Sequence, residues 1–172
     1  MRLFIAIDVD NKDYFKEIQK QLPVSKATYP SQFHLTLKFL GDTEEKQAII
    51  ECLKQIRFKP FTLKTTHLGV FPSESYIRVV WLGLEENKQL TKLQEDIEKA
   101  LEKFNFKKDF DFHPHITLAR IKFLAPEQKQ LFVDSLKNIK FQPKEFKITE
   151  FKLISSELTK EGPIYKDIEV FS

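Results

Sequence analysis

The chain has 172 residues, a formal net charge of +3, four histidines and a single cysteine. One cysteine excludes an internal disulfide framework and a cysteine-rich zinc site, and so mild a charge excludes a broad nucleic-acid-binding surface. With 41% hydrophobic and 31% charged residues the chain is globular, and its length suits one domain, residues 1–172, built as two lobes that fold without metal or crosslink.

The opening run Met1–Asp8 is too short for a membrane span and lacks the cleavage pattern of a signal peptide, so a cytoplasmic location with no membrane association is expected. Leu3–Val9 reads as a buried strand. Asn11–Leu22 reads as a helix with Asp10 as N-cap and Phe15, Ile18 and Leu22 on its apolar face. Ala27–Tyr29 is a short strand before Pro30. Phe33–Gly41 alternates, with Phe33, Leu35, Leu37 and Phe39 on one face and His34, Thr36 and Lys38 on the other.

Asp42–Glu45 resembles a capping box that opens a helix to about Arg57. Cys52 falls among its apolar residues and reads as core. Phe61–Thr66 and Tyr76–Leu82 are expected strands, with Gly69, Pro72 and Ser73 turning between them. Asn87–Phe104 has helical spacing of leucines and isoleucines and leads into a charged loop, Lys107–Asp109. His115–Phe123 is a strand, Pro126–Ile139 a helix, and Phe146–Ser156 and Ile164–Phe171 are the closing strands.

This order is β-α-β-α-β, repeated, with one strand to spare. It predicts an α+β fold: two pseudo-twofold-related lobes whose antiparallel or mixed sheets face a central groove, with helices outside. The middle strand of each unit carries the same string. One reads His34-Leu35-Thr36-Leu37, the other His115-Ile116-Thr117-Leu118, and the histidines are 81 residues apart.

Period-two geometry puts the His and Thr of each string on one face of its strand, with the aliphatic residues on the other. Two such pairs across a cleft suit displacement at a phosphodiester. One imidazole takes a proton from the incoming oxygen, the other protonates the departing one, and the hydroxyls hold the non-bridging oxygens. No metal or cofactor is required. The residues alone leave open which histidine is acid and which is base.

The paired strings and their flanks resemble the 2H phosphoesterases. Within them the chain is most similar to the RNA 2′,3′-cyclic phosphodiesterases, the LigT-like or 2′-5′ RNA ligase-like proteins. The likeness rests on Arg2–Ile7, Phe33–Gly41, Gly69–Pro72, Pro114–Arg120 and Gly162–Tyr165. It implies a bilobed fold with a central groove, and opening of a 2′,3′-cyclic phosphate to a 2′-phosphate without metal. It also implies His34 as proton donor, His115 as proton acceptor, and Thr36 and Thr117 as phosphate-binding hydroxyls. The implied partners are RNA ends or nucleoside 2′,3′-cyclic phosphates, and the chain is expected to be a monomer.

Two cations are possible substrate-binding residues. Lys38 lies on the His34 face and would add positive potential to the groove. Arg120 can pair with phosphate, but strict alternation puts it on the Leu118 face, and only a bulge or the strand's end would turn it round. His113 reads as a rim residue and His67 as a structural or surface one. Phe33, Phe39, Phe71 and Phe151 read as mostly core, although one or two phenylalanines at the groove can stack on a base. The rival readings are ligation, the reverse reaction forming a 2′-5′ linkage; a non-catalytic module that holds RNA ends; and a zinc hydrolase using His34, His113 and His115.

Overall fold

The computed structural model describes residues 1–24, 26–108 and 111–172. The charged loop expected at Lys107–Asp109 runs into Asp109, outside the described residues. The first elements are β1 (Arg2–Asp8), α1 (Lys12–Lys20), β2 (Ala27–Thr28), β3 (His34–Asp42), α2 (Lys46–Leu53) and β4 (Phe61–Ser73). Next come β5 (Tyr76–Leu84), α3 (Lys88–Ala100) and β6 (His115–Ile121). The chain closes with α4 (Lys129–Leu136), β7 (Glu145–Ile148), β8 (Phe151–Thr159) and β9 (Gly162–Phe171). Short 3₁₀ turns at Glu102–Phe104 and Pro126–Gln128 follow α3 and precede α4, where continuous helix was expected. Among the described residues no helix is long and apolar enough to cross a membrane.

The α+β architecture is the expected one, and its pairings are antiparallel. The strands follow one path, β7-β4-β5-β6-β3-β1-β8-β9, with β2 added to β6. The two halves of that path meet at β3 and β6 through one residue pair, Leu35 with Ile116. The halves of the sheet are not the halves of the sequence. β4 crosses to pair with β5, and β8 returns to pair with β1. Periodicity reports which residues form a strand and says nothing about which strand lies beside it, so this exchange is not legible in the sequence.

Several boundaries differ from expectation for local reasons. Helix α1 is capped by Asn11, whose Oδ1 accepts the Tyr14 N–H at 3.2 Å, and not by Asp10. The expected capping box before α2 does not form; Thr43 Oγ1 instead accepts the nearby Glu45 N–H at 3.1 Å. Strand β4 runs through Gly69 and Pro72, and the hairpin turns at residues 74–75. Gly69 serves packing there: a Cβ at this position would collide with the Trp81 ring on β5. The expected strand Phe146–Ser156 is two strands, β7 beside β4 and β8 beside β1.

The helices cover one face of the sheet. Leu35, Leu37, Ile116 and Leu118 point to that side and are sealed beneath Phe15, Ile18, Leu90, Leu93 and Ile97. Each such side chain contributes about 1.5–3 kcal/mol on burial. Cys52 packs at the edge of this core, as expected. Anchoring β3 and β6 by alternate residues leaves their other faces to a groove.

Candidate active site

The two His-Thr strands carry matching irregularities. Along β3, Ile5 of β1 pairs with Lys38 and Ala6 with Thr36, so Leu37 is skipped in the β1 ladder. Along β6, Val80 of β5 pairs with Ala119 and Trp81 with Thr117, so Leu118 is skipped in the β5 ladder. Each is a β-bulge directly after the His-x-Thr string, and a bulge reverses the facing of the residues beyond it. Burial from His34 to Leu40 and from His115 to Ile121 runs in the same sequence, residue for residue. The carbonyl of the bulged Leu118 accepts a hydrogen bond from the buried Gln19 Nε2 of α1 at 3.0 Å, which satisfies a group the ladder has released.

Past the bulge, the residues expected on opposite faces change places. Lys38 does not reach the groove. It is buried on the helix side, where its ammonium donates to both Glu98 carboxylate oxygens at 2.8 Å and to the Lys107 carbonyl at 2.9 Å. Phe39 takes the groove side instead and is 68% exposed. On β6 the same reversal buries Ala119 and turns Arg120 into the groove. The candidate cation from the second string is therefore placed at the site, and the one from the first is not.

The groove has a volume of about 430 Å³. His34, Thr36, Thr117 and Arg120 line it together with Phe4, Tyr29, Phe39 and Tyr165. The pairing of Leu35 with Ile116 sets the antiparallel register, which puts His34 across from Thr117 and Thr36 across from His115. Residues opposed in this way have Cβ atoms roughly 5 Å apart. Two imidazoles and two hydroxyls thus alternate around one patch at the seam of the sheet.

The imidazoles have different partners. His34 Nδ1 donates to Asp8 Oδ1 at 2.8 Å, across the β1–β3 pair. Its Nε2 is buried and has no hydrogen-bond partner among the described residues. Tyr165 and Phe4 meet the ring edge-on, with centroids at 5.1 and 5.9 Å. The bond from His34 is the main cause that holds the Asp8 carboxyl below its ordinary value; desolvation opposes it, and Lys152 adds to the lowering. Asp8 is absent from the sequence-based candidates. Its one signal is position, as the polar end of an apolar strand whose partner begins with His34.

His115 Nδ1 lies 2.7 Å from the His113 carbonyl oxygen. A carbonyl can only accept, so Nδ1 carries the hydrogen and Nε2 holds the lone pair when the ring is neutral. Phe71 packs edge-on to His115 at 4.8 Å, and Trp81 braces His113 at the same centroid distance. His113 therefore acts through its main chain, and its side chain is exposed. His67 is exposed and touches Trp81. Among the described residues no three His, Cys, Asp or Glu side chains converge as a metal-ligand set, so the arrangement of His34, His113 and His115 around zinc is not formed.

Known proteins match this chain in sequence and in fold. Residues 8–160 fit the sequence profile of the 2'-5' RNA ligase superfamily. The chain belongs to the 2'-5' RNA ligase superfamily. It is 41% identical to the RNA 2',3'-cyclic phosphodiesterase of Archaeoglobus fulgidus, with 99% of each chain covered. The fold is similar to TT0787 of Thermus thermophilus, with a TM-score of 0.81, 29% identity, and 99% and 97% of the two chains covered. It is also similar to Escherichia coli LigT complexed with 3'-AMP, with a TM-score of 0.71, 26% identity, and 99% and 96% covered. Superfamily membership and fold agree with the resemblance drawn from the strings.

Proposed function

We propose that this chain is a metal-independent RNA 2′,3′-cyclic phosphodiesterase, opening 2′,3′-cyclic phosphate ends to 2′-phosphates by two-histidine acid–base catalysis. The observation that carries the assignment of roles is the difference between the two Nδ1 partners. A carboxylate beside Nδ1 suits an imidazolium, which makes His34 the proton donor. A neutral carbonyl beside Nδ1 suits a neutral ring with its lone pair on Nε2, which makes His115 the base. The family resemblance and the name of the Archaeoglobus relative support the same reading.

In this mechanism His115 Nε2 takes a proton from water as the water oxygen bonds to phosphorus. The bond from phosphorus to O3′ breaks, and that oxygen receives the proton from His34 Nε2. One imidazole ends protonated and the other neutral, so the reaction is balanced and solvent exchange resets the pair. Thr36 and Thr117 hold the non-bridging oxygens as charge gathers on them. Arg120 supplies a charge-assisted bond to phosphate, and Phe39 a face for the base. Among the described residues, the groove is lined by Arg2 and Arg120 against one carboxylate, Glu161, a balance that favours an anion. The same reading takes the chain as a single two-lobed domain acting as a cytoplasmic monomer.

The test is incubation with 2′,3′-cyclic AMP and with cyclic-phosphate-ended RNA in the presence of EDTA. The expected product is the 2′-phosphate, and its absence overturns the function. Turnover retained in both His34→Ala and His115→Ala overturns the mechanism.

A further inference from the structure

Lys152 and Asp167 are not among the residues that line the groove, yet they close a run of ion pairs that ends on His34. Four adjacent strands each provide one member: Asp167 on β9, Lys152 on β8, Asp8 on β1 and His34 on β3. The Lys152 ammonium donates to Asp167 Oδ2 at 2.7 Å and to Asp8 Oδ2 at 2.6 Å. Asp8 Oδ1 accepts from His34 at 2.8 Å, so each oxygen of that carboxylate is held by a different neighbour. The Lys152 side chain is only 14% exposed, unlike the loosely solvated lysine of an ordinary surface pair.

A lone aspartate beside an imidazole would hold the ring in its charged form. That is a poor state for a group that must release a proton in every turnover. A cation on the far oxygen offsets part of the carboxylate charge while fixing its orientation. We propose that Lys152, clamped by Asp167, is a positioning residue for this reaction: through Asp8 it fixes the His34 ring and balances the charge behind it, so that Nε2 gives up its proton. The inference rests on the reading of His34 as the proton donor.

Other charged and titratable groups face His34. Tyr165 of β9 packs on the ring, and Arg120 and His115 belong to β6 across the groove. An outer cavity of about 690 Å³, which His34 also lines, adds Asp10, Lys12, Lys144, Glu145, Lys147 and Glu150. These last six carry as many positive as negative charges and leave the local balance to the residues that touch Asp8.

Three variants test the proposal: Lys152→Met, Lys152→Arg and Asp167→Asn. They are read by the pH dependence of kcat on 2′,3′-cyclic AMP and by NMR titration of the His34 imidazole in substrate-free protein. Lys152→Met is expected to lower kcat at neutral pH about tenfold, with KM changed less than about threefold. It should also move the alkaline limb of the profile, and the His34 titration, to higher pH. Lys152→Arg should restore both, and Asp167→Asn, which removes an anion and leaves Lys152 wholly to Asp8, should shift them to lower pH and by less. An unmoved limb and titration in Lys152→Met overturns the proposal, whether activity falls or stays. If Lys152→Met does not fold, Asp167→Asn carries the test, because Asp167 is half-exposed and its loss leaves Lys152 on Asp8. The NMR titration needs no turnover, so a failed phosphodiesterase assay and a failed relay are told apart.

Discussion

Phe39 and Arg120 hold equivalent positions on the two site strands, each the second residue past a bulge that turns it into the groove. One presents an aromatic face and the other a guanidinium, so the two site strands end in two different tools. Phe39→Ala is expected to raise KM for cyclic-phosphate-ended RNA about tenfold, and Phe39→Trp to preserve it. Arg120→Ala should weaken kcat/KM by a similar factor, with Arg120→Lys recovering only part, because a lysine cannot make the two-pronged contact. Steady-state kinetics on one RNA end checks both; equal behaviour of Arg120→Lys and unaltered protein would argue against a planar phosphate contact.

Thr36→Val and Thr117→Val remove a hydroxyl and keep a β-branched shape. Each is expected to lower kcat about 10²-fold, the scale for losing one donor to a developing oxyanion. Melting temperatures should stay close to that of the parent, since valine suits a strand at least as well as threonine. A loss of activity explained wholly by a lower melting temperature would count against the phosphate-binding role.

Lys38 gives the opposite expectation. Glu98→Gln leaves the Lys38 ammonium buried without its counter-charge and should cost about 3 kcal/mol in a denaturant melt. Lys38→Met should cost less, because Gln94 Nε2 still donates to the Glu98 carboxylate. Folded Lys38→Met should turn over substrate within about threefold of the parent, as its side chain lies on the far side of the sheet. A large change in KM would return Lys38 to the groove.

The site carboxylate sets an acid limit. The Asp8 carboxyl lies below its ordinary value in the folded protein, so its contribution to stability is present above the unfolded value of 3.8 and is lost as pH falls through the folded one. Melting temperature should therefore drop more steeply below pH 4 for the unaltered protein than for Asp8→Asn, and the two curves should converge in acid. Parallel curves would mean that Asp8 is not linked to folding.

Gly69→Ala tests the packing around His113 and His115. The new methyl would force the Trp81 ring away from its contacts with Phe71 and His113. Overpacking of this kind should cost about 1–3 kcal/mol, read as a lower denaturation midpoint together with a changed tryptophan emission. An unchanged midpoint and emission would show that the ring has room to move.

Much of the site is legible in the sequence because its signal is local. His34, Thr36, His115 and Thr117 share a face by strand parity, and the aliphatic residues between them fix which face is buried. Alternation puts Lys38 and Phe39 on the wrong sides because it assumes an unbroken ladder, and one unpaired leucine reverses it. Arg120 needs a bulge to reach the groove, but nothing in the string announces one. Asp8, Lys152 and Asp167 escape notice because the residues they contact lie elsewhere in the chain, 26 positions apart for Asp8 and His34 and 144 for Asp8 and Lys152.

The sequence by itself determined the α+β class, the strand and helix order up to the split of Phe146–Ser156 into two strands, the paired motif and the superfamily, since each follows from residue type at short spacing. The tertiary structure alone decided that β4 and β8 trade partners, that Leu35 meets Ile116, and that two bulges aim Phe39 and Arg120. It also separated the two histidines, which the strings present as twins. In the proposed mechanism the proton roles depend on the group within hydrogen-bonding distance of each Nδ1, and pairing between distant strands puts a carboxylate beside one ring, while the local turn puts a carbonyl beside the other.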